Sequence, residues 1–180
     1  MALPATIHRA TIEVSDVDRS LYQRLEATVA RHPSETAERM VGRLLAYALC
    51  YSEDLNFTRG ICAGDEPDLW SKEPDGRVRE WIEVGLPDPD RLRKAARHAE
   101  RVVLVASGGG LNRWLEQNRA KLAGIDNLVI ITLDRPFVAR LTDKLQRVVD
   151  WSLTVTEGVI YLTLEGETFE SPLWMVQGER

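Results

Sequence analysis

The sequence predicts an α/β fold: a mixed β-sheet core flanked by helices, with strands added at the N- and C-terminal ends. Three observations carry that expectation. Residues 68–84 form a β-rich hairpin pattern about Pro74-Asp75-Gly76. Two strands of buried type, Arg101–Ala106 and Asn127–Leu133, then alternate with helix-length segments, as strands covered on both faces do. Alternating patterns of half-buried strands occupy residues 5–14 and 151–175.

In chain order, Ala5–Val14 reads as a strand, with Ile12 and Val14 alternating against Thr11 and Glu13. Arg24–Ala30 fits either period; a strand paired with the first is preferred. His32-Pro33-Ser34-Glu35 is expected to open a helix with Pro33 at its first position, running to about Tyr51. Its buried stripe would be Met40, Val41, Leu44, Leu45, Ala48 and Leu49. A short strand near Phe57–Cys62 follows, and then the hairpin. Asp88-Pro89 caps and starts a second helix ending near Glu100. Helices are expected over Leu111–Leu122 and from Pro136 to about Val149. The C-terminal strands, Trp151–Val155, Val159–Leu164 and Thr168–Met175, read as an antiparallel meander turning at Glu157-Gly158 and Glu165-Gly166.

With 180 residues and no linker or repeat, the chain is expected to be a single domain over 1–180. Hydrophobic residues make up 44% and charged residues 28%, a globular balance that excludes disorder. The longest apolar run, Leu128–Leu133, is far too short to cross a bilayer, and residues 1–9 show no secretory pattern. Cys50 and Cys62 lack metal-ligand spacing and read as reduced thiols, so a soluble, cytoplasmic protein with no membrane partner is expected. The net charge of −5 excludes a protein that coats nucleic acid non-specifically. Arg113, Arg119, Lys121, Arg135, Arg140, Lys144 and Arg147 form the one candidate phosphate-facing stripe, and a solvated helix face accounts for them better.

The segment from Glu66 to Lys94 carries the chemistry. Pro67-Asp68 precedes Glu83 by fifteen residues, and a hairpin would bring Asp68 and Glu83 to the same end. Two carboxylates meeting there repel unless one is protonated or a cation lies between them. Mg²⁺, with Mn²⁺ as a substitute, suits such an oxygen-only site. In phosphodiester hydrolysis the ion would polarise the phosphate and acidify a bound water, and a lysine would steady the developing charge. Two residues past Glu83, where that lysine belongs, stands Gly85; Lys94 on the following helix is the expected replacement. Glu38, in line with Val41 and Leu45, is expected to point inward as an auxiliary ligand or base, with Glu35 pairing to Arg39. The bland alternatives are a buried salt bridge from Glu83 to Arg79 or Arg91, a turn or cap role for Asp68, and a solvated Lys94.

Ser107-Gly108-Gly109-Gly110, between a strand and a helix, lacks the spacing of a P-loop or a dinucleotide fingerprint and reads as a connection. The histidines form no metal set, and no Ser-centred nucleophile elbow is present.

Several stretches together resemble the YaeQ family: His32-Pro33-Ser34-Glu35-Thr36-Ala37-Glu38-Arg39-Met40, Leu55–Gly60, Asp65–Trp70, Trp81–Asp88 and Glu157–Leu162. The resemblance covers essentially the whole chain. It implies a PD-(D/E)XK nuclease scaffold, a restriction-endonuclease-like mixed β-sheet core in which the motif lysine has moved to the next helix. Two functions stay open: a Mg²⁺-dependent nuclease acting on nucleic acid, with Glu38, Asp68, Glu83 and Lys94 as its site, or a non-catalytic module that binds a protein partner.

Overall fold

The computed structural model describes residues 4–59 and 64–180, and within them builds two mixed sheets and four helices. β1 (Thr6–Asp16) and β2 (Leu21–Arg31) pair antiparallel in the register Ile12↔Leu25, so the ambiguous second segment is a strand. Along β1, His8, Ala10, Ile12, Val14 and Asp16 point inward, the alternation expected of a half-buried strand.

The first helix starts later than its proline suggested. α1 spans Ala37–Leu49, and the hydroxyl of Thr36, not Pro33, sets its start by accepting from the Arg39 N–H at 3.1 Å. Pro33 lies in a preceding turn, closed by the Glu35 N–H donating to the carbonyl of His32. α1 is buried from Met40 to Leu49, packed against β1, α4 and the central strands of the second sheet. Gly42 permits that approach: a Cβ there would lie 2.8 Å from Cγ1 of Val84.

β3 (Asn56–Phe57) ends earlier than the strand expected near Phe57–Cys62: Thr58 and Arg59 lie beyond it, and 60–63 lie outside the described residues. β4 (Leu69–Lys72) and β5 (Val78–Val84) form the expected hairpin, with Gly76 at φ 88°. Asp88 caps α2 (Pro89–Ala96) by accepting from Asp90 N–H. That helix ends before Glu100, because Ala99 already pairs with Val78 to begin β6 (Ala99–Ala106). α3 (Leu111–Ala123), β7 (Leu128–Thr132) and α4 (Arg135–Asp143) follow. α4 stops short of Val149 because Val148 and Val149 are taken into β8 (Val148–Thr156), beside Arg9 and Ala10. The two turns of the meander, from β8 to β9 (Val159–Leu164) and from β9 to β10 (Glu167–Pro172), carry positive φ at both central residues, as tight hairpins require. The meander ends at Pro172; β11 (Trp174–Gln177) crosses to pair with β7 in the other sheet, contrary to the expectation that it continue to Met175.

The sheet orders are β10-β9-β8-β1-β2 and β11-β7-β6-β5-β4-β3, with β5, β6 and β7 mutually parallel. Side chains alternate across the second sheet. Val103 and Val105 join the core shared with α1, α4 and the first sheet, while Val102, Leu104 and Ala106 join a core beneath α2 and α3. Among the described residues no helix is long and apolar enough to cross a membrane.

Candidate functional site

A cavity of about 590 Å³ opens at the carboxyl ends of β5 and β6, where ligands gather in open α/β sheets, and beside the start of α1. Its charged lining is Glu38, Glu66, Asp68 and Glu83 against Arg39 and Arg91. Three of the four expected site residues therefore border one cavity. Lys94 does not: it is exposed on α2 and absent from the lining. Glu38 is exposed at the cavity, not directed into the core; the inward acid is Glu35, 6% exposed.

Asp68 is 1% exposed. Its carboxylate accepts from both terminal nitrogens of Arg39, at 2.6 and 3.0 Å, and from the backbone N–H of Val84 at 2.8 Å. Nε of Arg43 lies 3.7 Å away. Arg43 donates to Glu35 at 3.2 Å, and Glu35 stands 3.8 Å from Arg39. Glu35, Arg43, Asp68 and Arg39 thus close a ring of alternating charge. Burial pulls the Arg39 pKa down, but its hydrogen bond and attraction to Asp68, with Glu35 beside it, outweigh that and hold it above the ordinary value.

Glu83 belongs to the other layer. It shares a face of β5 with Trp81, as strand alternation dictates, and its Oε1 accepts from the Trp81 indole N–H at 2.8 Å and from Arg91 Nε at 2.7 Å. Burial pushes its pKa above the ordinary carboxylate value and nearby Asp68 adds to this, against the lowering effect of Trp81 and Arg91. Arg91 spends its remaining nitrogens on the carbonyls of Gly64 and Glu66, tying that loop to the cavity. Arg91 in α2 therefore stands where the sequence placed Lys94.

Gly85 explains the missing strand lysine. Its φ of +104° lies in a region that side-chain-bearing residues rarely adopt, while its N–H is held by the Val105 carbonyl. The Arg39–Arg43 ring was missed in the sequence, although Arg43 is a visible signal: a charge set inside the apolar run Met40 to Leu49, eight residues after Glu35.

As donors, these carboxylates have the hard oxygen chemistry that Mg²⁺ prefers. As they stand they do not fit the ion. Asp68 and Glu83 are each already neutralised by a guanidinium, and a divalent cation beside them would meet Arg39 or Arg91 at close range. Among the described residues no group of three or more acids, histidines or cysteines is gathered closely enough to hold a metal.

A sequence model described as YaeQ protein matches residues 1–173. The chain belongs to the YaeQ family. It is 40% identical over 171 residues to the YaeQ protein of Escherichia coli K12, covering 94% of each, and 40% identical over 164 residues to that of Salmonella typhi, covering 91% of each. Its structure resembles the crystal structure of YaeQ from Pseudomonas syringae, with a TM-score of 0.93 at 39% identity, covering 99% of both chains. That of Xanthomonas axonopodis pv. citri YaeQ gives the same TM-score at 33% identity, covering 97% of this chain and 99% of that one. The two-sheet architecture is thus the family's own.

Proposed function

We propose that the protein is a non-catalytic binding module, regulatory or protein-interacting, on the restriction-endonuclease-like scaffold that its sequence resemblance implies. One observation carries this reading: both carboxylates that metal-assisted hydrolysis would need are neutralised by arginines of the same chain. Of the other two acids in the cavity lining, Glu66 pairs with the exposed Arg59, and among the described residues Glu38 makes no ion pair. That unpaired carboxylate attracts a basic side chain of a protein partner and repels a phosphate backbone.

A second reading, a Mg²⁺-dependent nuclease-like hydrolase of nucleic acid, draws on one specific feature. The hydrogen bonds of Glu83 converge on Oε1, which leaves Oε2 as an oxygen donor at the cavity. In that reading Asp68 and Glu83 would hold the ion, with Glu38 assisting at the cavity and Arg91 standing where Lys94 was expected.

Thermal unfolding with and without Mg²⁺ or Mn²⁺ separates the two, because a ligand bound by the native state raises its stability. The first reading expects no saturable rise in Tm for the parent chain and no cleavage of a DNA and RNA panel. A metal-dependent rise that disappears in Glu83→Gln, accompanied by cleavage, overturns it.

A further inference from the structure

β11 closes one edge of the six-stranded sheet and is its least guarded element. Trp174, Met175 and Val176 are 57%, 37% and 49% exposed, three consecutive apolar side chains on the surface. Val176 also borders a groove of about 410 Å³, completed by Leu115, Glu116, Arg119 and Leu122 of α3 and by Ile130 of β7. α3 buries only Leu122 fully; Leu115, also at the groove, is half-buried against the core beneath the helix. Other sheet edges are blunted in recognisable ways: β2 presents exposed Arg24 and Glu26, β10 carries Glu167 and Glu170 and ends in Pro172, and β3 has two residues.

We propose that this face binds a second copy of the chain about a twofold axis. Charge selects that occupant. Glu116 and Arg119 both border the groove, both are exposed, and among the described residues neither makes an ion pair. In a twofold contact the same patch serves both sides, so Glu116 of one copy meets Arg119 of the other and each sign is matched twice. A partner of one charge sign would leave one of the two residues opposed. The register slip between Met175 and Gln177 breaks the regular edge of β11, which disfavours backbone extension of the sheet and leaves side-chain packing as the mode of contact.

The test is sedimentation equilibrium of the full chain over a concentration range of roughly a thousandfold. The wild type is expected to dimerise, and Val176→Glu to weaken the dimer by about a hundredfold, since it buries a charge in an apolar contact. Glu116→Arg and Arg119→Glu should each weaken it about tenfold, and the double reversal should restore it to within about threefold of wild type. Both charged positions are exposed, so these variants test the contact even where Val176→Glu disturbs folding. A wild type that stays monomeric at the highest concentration overturns the proposal, as does a double reversal no tighter than its single parents.

Discussion

Replacing Asp68 by asparagine distinguishes a structural carboxylate from a metal ligand. In a site built to hold a cation, neutralising one of two neighbouring acids relieves repulsion and stabilises the metal-free protein. In the ring described above the sign reverses. Asp68 accepts three hydrogen bonds, two of them from Arg39, and balances Arg43, whose side chain is 2% exposed. Asparagine retains one acceptor oxygen but turns an NH₂ group toward donors and leaves Arg43 under-compensated. Removing one partner of a buried pair costs about 3–5 kcal/mol. Here Glu35 still contacts Arg43, and the Arg39 side chain, 27% exposed, regains water, so a value near the low end, about 3 kcal/mol, is expected. At about 2–4 °C per kcal/mol for a chain of this length, Tm should fall by roughly 6–12 °C. Urea unfolding at a common m-value measures the loss. A cycle with Arg39→Met should return a coupling of about 1 kcal/mol or more. An unchanged or raised stability in Asp68→Asn would refute the ring as the purpose of this residue.

Two further outcomes follow from the titratable groups. Glu83 has a folded pKa above its ordinary 4.5, so the native protein holds that proton more tightly than the unfolded chain does. Its contribution to stability is complete below pH 4.5 and is lost as pH rises through the folded pKa, so the stability of the wild type relative to Glu83→Gln should decline on going from acid to neutral pH; a flat or rising difference contradicts the assignment. Burial pushes the Cys50 thiol up to about 12, so in a Cys62→Ser background native protein at pH 8 should react with thiol reagents only at the rate of unfolding, and prompt labelling would contradict that burial.

Much of the fold was legible because local signals and tertiary demands agree. The hairpin around Gly76, the Asp88 cap and the two Glu-Gly turns need particular backbone angles or side-chain acceptors that few residues supply. Helix ends were less legible. Pro33 satisfies the rule for a first helical residue, yet Thr36 supplies the cap, and α2 and α4 stop early because strand pairing claims Ala99 and Val148. The crossing of β11 to the other sheet has no local signature at all. In the candidate site, alternation placed Glu83 beside Trp81 and the turn brought Asp68 near. Which arginine reaches which acid depends on helix placement, and a linear sequence of closely spaced basic residues such as Arg91, Arg93 and Lys94 does not order them.

The two acids also differ in what holds them. They meet at one end of a hairpin, but they are neutralised from opposite layers, Asp68 by α1 and Glu83 by α2. Arg91 joins Oε1 of Glu83 to the carbonyls of Gly64 and Glu66, so a ligand that takes that oxygen must also release that loop. Arg39 cannot leave Asp68 without unbalancing the ring that ties α1 to Asp68 and Glu35. A ligand therefore competes with the fold itself at Asp68 but only with a partly exposed arginine at Glu83. Binding should accordingly enter through Glu83, Arg91 and the loop, while Asp68 stays in place.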